Sequence, residues 1–209
     1  MILYDCTPAP NPRRARIFLA EKGIEVEKRQ VDLAAGEQLR PEFMAINPFC
    51  TVPVLELDDG TRLHDNASIA RYLEETCPEP PLLGTTPIEK ALIAEWTARV
   101  EYEGFLGIAE AFRNRAKGFK GRALTGKRPY EQIPALAERG LARAEDFFVL
   151  LDERLKESRY VGGARFSVAD ISAVVAVDFA GRLKLEIGTD QAALRRWHDE
   201  VAARPSYSA

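Results

Sequence analysis

The sequence predicts an α/β domain followed by an all-α domain, and three observations indicate this order. Residues 1 to about 77 alternate short β-rich segments with helical ones. Residues 78–87 contain four prolines, which restrict backbone φ angles and are typical of a linker. From residue 88 onward, apolar residues recur at helical spacing. We therefore predict domains at residues 1–77 and 88–209, joined by a linker at 78–87.

The first domain is expected to contain a mixed sheet. The Asp59-Gly60 turn favours a hairpin with antiparallel strands, whereas a strand-helix-strand crossover makes its two strands parallel. The resulting order is βαβαββα, with strands at Ile2–Tyr4, Val26–Asp32, Val54–Leu57 and Thr61–Leu63 and helices at Pro12–Gly23, Gln38–Ile46 and Asn66–Thr76.

The second domain is expected to be helical throughout. Ser167 and Asp170 have the spacing of a capping box, in which the two residues satisfy each other's backbone N–H groups at a helix start. The apolar run that follows is more typical of a core helix than of a cofactor-binding segment, and both tryptophans are assigned to the core. The predicted helices are Ile88–Ala116, Tyr130–Glu157, one that includes Ile171–Val177, and Ala192–Ala203 before Pro205.

Composition excludes several classes of function. With 209 residues, 46% of them hydrophobic, the chain can bury a sizeable core. A net charge of -3 without a continuous block of like charge argues against nucleic acid as the partner, and Arg13–Arg16 is interpreted as a solvated helix face. No apolar run reaches membrane-spanning length and no signal peptide begins the chain, so a cytoplasmic location is expected. Three cysteines and two histidines are too few for a disulfide framework or a metal site.

Several short motifs occur together along most of the chain, and in combination they are specific. They are the strand and helix of Tyr4–Gly23, Asn47-Pro48 with Thr51-Val52-Pro53-Val54-Leu55, Asp65-Asn66 at a helix start, and Ser167-Val168-Ala169-Asp170-Ile171. In these motifs the chain resembles the cytosolic glutathione transferases. The resemblance implies a thioredoxin-like domain before an all-helical one, glutathione as substrate, and a homodimer.

The resemblance also implies a glutathione site. The Val52-Pro53 bond would be cis, and the Val52 backbone would pair with the cysteinyl part of glutathione as an added strand. Asp65 and Asn66 would hold the γ-glutamyl end, although the family more often has Glu-Ser there. A plain edge strand at Val52-Pro53 and an ordinary helix cap at Asn66 are the alternatives.

The thiol end departs from the common pattern. Ala9, which the resemblance places in the glutathione site, stands where serine- and cysteine-type transferases carry their catalytic residue, and it has no donor. Two residues on, the Asn11 amide is our candidate to stabilise the sulfur, with Thr7 as second catalytic candidate. Tyr4 is a further alternative that we expect to face the core.

A more detailed similarity concerns the Nu-class bacterial transferases, in which a Thr-Pro-Asn motif serves the sulfur. Here Ala9 replaces the Thr, and the similarity implies that Gln38 contacts glutathione near its glycyl end. Nu-class proteins are glutathione-dependent disulfide-bond reductases, so that activity stays an alternative. Cys6 lacks the second cysteine of a C-x-x-C pair, whereas Cys50 beside the site is a candidate for a mixed disulfide with glutathione.

The electrophile pocket is expected on the first long helix of the second domain. The candidates are three aromatic residues that would form apolar walls and one arginine that would bind an anion. They are Tyr102, Phe105, Phe112 and Arg113. Aromatic residues at helical spacing are, however, usually core or interface residues. Phe49 is the candidate for a dimer contact. We predict a glutathione transferase without a metal, and a non-catalytic glutathione-binding or regulatory protein is the alternative from another class.

Overall fold

The computed structural model describes all residues, 1–209. A four-stranded mixed sheet lies near the N-terminus. Strand β1 (Ile2–Asp5) is parallel to β2 (Glu27–Gln30) and antiparallel to β3 (Val54–Glu56), which pairs antiparallel with β4 (Arg62–Leu63). The strand order in the sheet is therefore β2-β1-β3-β4. The predicted mixed sheet and its hairpin are confirmed.

Three helices accompany this sheet: α1 (Pro10–Glu21), α2 (Pro41–Met44) and α3 (Asn66–Thr76). The helix predicted over Gln38–Ile46 is only partly right. A 3₁₀ turn at Glu37–Leu39 is followed by Arg40 in an extended conformation (φ -81°, ψ 150°) before α2 begins. A residue before proline is driven out of the helical region, so Pro41 restarts the helix instead of continuing it.

The rest of the chain is mainly helical, as predicted, but the helix predicted from Tyr130 begins at Pro134, and residues 116–133 contain no α-helix. The segment predicted as one helix over Ile88–Ala116 contains a π-helical turn at Val100–Phe105, and π turns of this kind accommodate an extra residue. The helices are α4 (Pro87–Arg99), α5 (Leu106–Arg115), α6 (Pro134–Glu157), α7 (Val168–Ala180) and α8 (Ala192–Ala202). None of the helices has the length and apolar character needed to cross a bilayer.

The two parts of the chain share one main hydrophobic core. Phe18 of α1 and Val174 of α7 are both buried in it, and α1 packs against α7. No helix or strand lies in residues 77–86, and the division into domains at 1–77 and 88–209 stays a prediction. Trp197 is fully buried, whereas Trp96 lies partly buried at the edge of this core.

The start of α7 is fixed by the buried carboxylate of Asp170. It accepts hydrogen bonds from the Ser167 backbone N–H (3.0 Å), the Ser167 hydroxyl (3.0 Å), the Val161 N–H (2.8 Å) and the Trp197 indole N–H (2.9 Å). Burial nevertheless raises the pKa of Asp170 to about 6, because removal from water penalises the charged form. The predicted helix start at Ser167 therefore ties α7 to α8 and to the preceding loop.

The arginines of α1 correct one sequence prediction. Arg14 and Arg16 are each only 6% exposed, so Arg13–Arg16 is not a solvated face. Arg13 pairs with Asp178 of α7 (2.6 Å), and Arg16 pairs with Asp5 (2.5 Å) and donates to the Ala209 carbonyl (3.0 Å). These side chains hold the C-terminal helices and tail against α1, which is why composition alone misplaced them.

Candidate active site

The start of α1 offers donors from one residue, Asn11. Ala9 is the N-cap residue and has no capping side chain, and Pro10 and Pro12 have no N–H. The Asn11 backbone N–H forms no hydrogen bond within the chain, and its side-chain amide nitrogen donates none. Asn11 is exposed and lies at the positive end of the helix dipole. An anionic sulfur placed there would meet two N–H groups of the same residue.

The turn before α1 is held in place by partners outside it. Arg16 donates to the Thr7 carbonyl (3.1 Å), and Arg182 donates to the Pro8 carbonyl (3.2 Å). The Thr7 N–H and hydroxyl both bond to the Gln30 side-chain oxygen at 3.0 Å. The Thr7 hydroxyl proton is thus already committed to Gln30, which weakens Thr7 as the catalytic donor relative to Asn11.

Tyr4 and Cys6 lie in the interior. The Tyr4 ring packs edge-on against Phe43, with its hydroxyl 3.4 Å from Glu56, so Tyr4 faces a small core, as expected. Cys6 is 7% exposed, and its burial raises the pKa of the Cys6 thiol. Cys50 is 4% exposed in a left-handed conformation (φ 57°), so the mixed disulfide suggested for Cys50 is not supported by its burial.

Val52 and Pro53 are buried beside this turn, and Val52 packs in the same small cluster as Cys6. The Val52-Pro53 peptide bond is cis, and neither the N–H nor the carbonyl of Val52 forms a hydrogen bond within the chain. The fully buried Asn47 braces the preceding loop by donating to the Thr51 carbonyl (2.8 Å) and accepting from the Phe49 N–H (3.0 Å). An unpaired N–H and C=O on one residue can accept a short extended peptide as an extra strand.

Asp65 and Asn66 lie at the start of α3. One Asp65 oxygen, Oδ1, caps the helix by accepting from the Ser68 N–H at 2.8 Å, and its other oxygen has no partner. Asn66 is half-buried, and its Oδ1 atom is buried without a hydrogen-bond partner. This corner therefore presents a carboxylate oxygen, an amide and the N-terminus of α3 together, which suits a group that carries both an ammonium and a carboxylate.

Gln38 lies in the 3₁₀ turn that follows Gly36. Its Oε1 atom is also buried without a partner. Gly36 adopts φ 72°, a conformation that favours glycine, and this turn sets the direction of the segment that carries Gln38.

The four predicted pocket residues are not gathered in one place. Phe105 is buried under the Arg14 guanidinium, 4.8 Å from it. Tyr102 is 63% exposed and lies beside Arg143 of α6. The half-buried Phe112 lies near the start of α1, because Arg182, which is hydrogen-bonded to the Pro8 carbonyl, lies 5.9 Å from its ring.

Arg113 does not act as a free anion clamp. Its guanidinium donates to the backbone carbonyls of Arg122 (2.5 Å), Ala123 (3.1 Å) and Leu124 (2.9 Å). Burial also lowers the pKa of Arg113. It fixes the loop after α5, so the clamp predicted at Arg113 is corrected.

Sequence reasoning missed Arg14, a buried neighbour of Asn11. Arg14 donates to Asn11 Oδ1 (3.4 Å) and to Ser172 Oγ (2.9 Å), and it pairs with Glu101 of the π-helical turn. The i, i+3 spacing of Asn11 and Arg14 was a usable signal, because residues three apart lie on one helix face.

These features define a class of protein: a thioredoxin-like domain with a cis peptide bond at Val52-Pro53, followed by an all-helical part that packs against it. Two family models match, "Glutathione S-transferase, N-terminal domain" over residues 9–76 and "Glutathione S-transferase, C-terminal domain" over residues 122–205. The chain belongs to the glutathione S-transferase family.

Individual relatives agree with this assignment. Glutathione S-transferase 2 of Saccharomyces cerevisiae is 36% identical over 99% of this chain and 87% of its own length. The disulfide-bond oxidoreductase YfcG of Escherichia coli is 27% identical over 95% of this chain and 89% of its own length. The crystal structure of a glutathione S-transferase domain-containing protein of Marinobacter aquaeolei matches with a TM-score of 0.91 and 36% identity, covering 99% of this chain and 100% of the other.

Proposed function

We propose that this chain catalyses the attack of glutathione thiolate on electrophilic small molecules, with Asn11 stabilising the thiolate. The main observation that supports this proposal is the set of buried side-chain polar atoms that lack a hydrogen-bond partner. There are three in the whole chain: Arg14 Nε, Gln38 Oε1 and Asn66 Oδ1. Buried polar groups normally form hydrogen bonds, so buried groups without a partner in the chain indicate a partner from outside it. Two of the three belong to side chains expected to contact glutathione.

Each part of the tripeptide has a matching group. The cysteinyl backbone pairs with the free N–H and carbonyl of Val52 beside cis-Pro53. The γ-glutamyl ammonium lies near the unpaired oxygen of Asp65, and its carboxylate lies at the α3 N-terminus with Asn66. Gln38 contacts the glycyl end. The sulfur then lies at the opening turn of α1, next to Ala9.

One residue is sufficient for thiol activation. Lowering a thiol pKa by about two units requires about 2.7 kcal/mol of differential stabilisation. A hydrogen bond to a charged group contributes about 1.5–3 kcal/mol, and a helix N-terminus contributes about 0.3–1 kcal/mol more. The Asn11 amide and its backbone N–H supply both contributions without a hydroxyl at position 9.

The test compares Asn11→Ala with Thr7→Val in two assays on the full chain. One assay measures conjugation of glutathione to 1-chloro-2,4-dinitrobenzene, and the other measures glutathione-dependent disulfide reduction. We expect Asn11→Ala to lower kcat and to raise the pKa of the bound thiol, while Thr7→Val changes both less. If Asn11→Ala leaves activity and thiol pKa unchanged, the assignment of Asn11 is wrong.

Disulfide reduction is the second candidate function, and the relationship to the Escherichia coli disulfide-bond oxidoreductase favours it. The bound thiolate would attack a disulfide sulfur, forming a mixed disulfide and expelling the other thiolate. A second glutathione would then release the product as glutathione disulfide. No protein thiol is needed, which agrees with the burial of Cys6 and Cys50. If the wild-type protein has no activity in either assay, that result would favour a non-catalytic glutathione-binding protein.

We also propose a homodimer that works in the cytoplasm. Phe49 is 65% exposed and packs edge-on to His64 at 5.9 Å, so it is a large apolar side chain available to a second copy. All three cysteines are free, which suits a reducing compartment. Analytical ultracentrifugation of wild type and Phe49→Ser tests the interface, and an unchanged monomer-dimer distribution would contradict the role of Phe49.

A further inference from the structure

A strongly basic segment follows the first part of the helical domain. Residues 113–130, here called the basic segment, contain seven Lys or Arg and no Asp or Glu. None of these seven side chains, nor that of Arg182, lies within 4.0 Å of a carboxylate. Because these charges are alike and unneutralised, they produce a positive potential over this part of the surface.

The basic segment lies beside the proposed glutathione groove. Phe119 packs on Phe112 of α5, with ring centroids 5.3 Å apart, and Arg113 binds three carbonyls of the segment. These contacts hold it in place. At its far end, a Cβ on Gly126 would lie 3.8 Å from the Phe49 carbonyl oxygen. The segment therefore reaches the loop that leads into Val52.

Arg182 brings a further positive charge to the opening turn of α1. Its Nη2 donates to the Pro8 carbonyl at 3.2 Å, three residues before Asn11, and its other N–H groups have no partner. The same guanidinium lies 5.9 Å from the Phe112 ring, which itself packs on Phe179 at 5.3 Å. An exposed cation, free donors and an aromatic wall thus lie together next to the proposed sulfur position.

We propose that the second substrate is an electrophile with an aromatic or apolar body and a carboxylate, and this inference rests on the proposed function. The carboxylate would accept charge-assisted hydrogen bonds from Arg182, while the apolar body lies against Phe112. The basic segment would raise the local concentration of such an anion.

The probe reaction is aromatic substitution on 4-chloro-3-nitrobenzoate. The thiolate attacks the carbon that bears chlorine, the C–S bond forms, the C–Cl bond breaks and chloride leaves with the electron pair. The methyl ester of the same compound is the neutral control, and each kcat/KM is divided by the uncatalysed rate constant. We expect the carboxylate to be favoured about tenfold at low salt, and this preference to shrink as ionic strength rises.

Variants separate the charge effect from a general loss of activity. Arg182→Gln is expected to lower kcat/KM about tenfold more for the carboxylate than for the ester, because loss of the Pro8 contact acts on both substrates whereas loss of the charge acts only on the carboxylate. Lys127→Gln/Arg128→Gln is expected to reduce the carboxylate preference by a smaller factor. Lys28→Gln/Lys90→Gln removes the same amount of charge from exposed positions on β2 and α4. We expect it to leave kcat/KM unchanged for both substrates.

The outcomes distinguish this inference from the proposed function. Equal normalised rate constants for acid and ester, or equal losses for both in Arg182→Gln, would overturn the inference and leave the proposed function intact. Absence of activity with both compounds would overturn the proposed conjugation. In that case the protein is titrated by calorimetry with S-(4-carboxy-2-nitrophenyl)glutathione and, separately, with its methyl ester. Tighter binding of the acid supports the anion site, and equal binding overturns it.

Discussion

Arg14 lies one helical turn after Asn11 and donates from Nη1 to the Asn11 side-chain oxygen over 3.4 Å. This contact fixes the amide so that its nitrogen, the donor, faces away from the protein. The same guanidinium holds Ser172 of α7 and Glu101 of the π-helical turn. The orientation of the proposed thiolate donor therefore depends on contacts with the helical domain.

We expect Arg14→Met to raise the pKa of the bound glutathione thiol by about one unit, because a freely rotating Asn11 loses about 1 kcal/mol of its hydrogen bond to sulfur. The measurement is the pH titration of thiolate absorbance in the complex. Arg14→Lys should give an intermediate value, since it keeps the charge but not the forked donors.

Ser172→Ala serves as the matched control for this prediction. It removes another partner of the same guanidinium without touching Asn11, so only a small change in thiol pKa is expected. A folded Arg14→Met protein with the wild-type thiol pKa would show that Arg14 does not position Asn11. Thermal denaturation of each variant verifies that it is folded.

Asn66 is expected to act on glutathione affinity and not on the thiol. Asn66 and Arg14 line the same small cavity of about 10 Å³, and each has one buried side-chain atom without a hydrogen-bond partner in the chain. We expect the Asn66 amide to pair with the γ-glutamyl end of glutathione, its nitrogen donating to the carboxylate and its oxygen accepting from the ammonium.

Asn66→Ala should therefore weaken glutathione binding about 10- to 100-fold, the value of one hydrogen bond to a charged group. Titration calorimetry measures this loss, and the thiol pKa of the saturated complex should stay within a few tenths of the wild-type value. Ser68→Ala, in the same helical turn, is the control. A large rise in the thiol pKa with unchanged glutathione affinity would show that the role proposed for Asn66 is wrong.

Local signals predicted the parts of this protein that depend on neighbours in sequence. The Asp59-Gly60 hairpin, the start of α3 at Asn66 and the start of α7 after Ser167 all follow from short-range chemistry. Arg14 and Arg16 were misplaced because their partners are a carboxylate, a hydroxyl and a terminal carbonyl from distant parts of the chain. The same limit applies to Arg113, whose three carbonyl partners appear only once the loop after α5 is closed.

The buried Asp170 predicts how stability depends on pH. Its pKa is raised from 3.8 to about 6 in the folded protein, so its contribution to stability is full below the unfolded pKa and is lost as pH rises through 6. We expect the free energy of unfolding of wild type, relative to Asp170→Asn, to fall by about 2 kcal/mol between pH 4 and pH 7. Urea denaturation at several pH values measures this difference. Parallel pH profiles for the two proteins would contradict the raised pKa.

The close packing of α5 against α6 requires a glycine at position 140. A Cβ there would lie 2.6 Å from both the Gly107 carbonyl oxygen and the Ala111 backbone nitrogen, closer than atoms can approach without backbone movement. Gly140→Ala gains about 1 kcal/mol of helix propensity, but separating the two helices costs more than this gain. We expect a net loss of about 2 kcal/mol in the free energy of unfolding.

Gly181→Ala is the matched control, because its Cβ would meet no atom within 4 Å and its φ is -56°. If urea denaturation finds Gly140→Ala as stable as Gly181→Ala, α5 and α6 do not pack at this distance, and the position of Phe112 beside the proposed sulfur site must be revised.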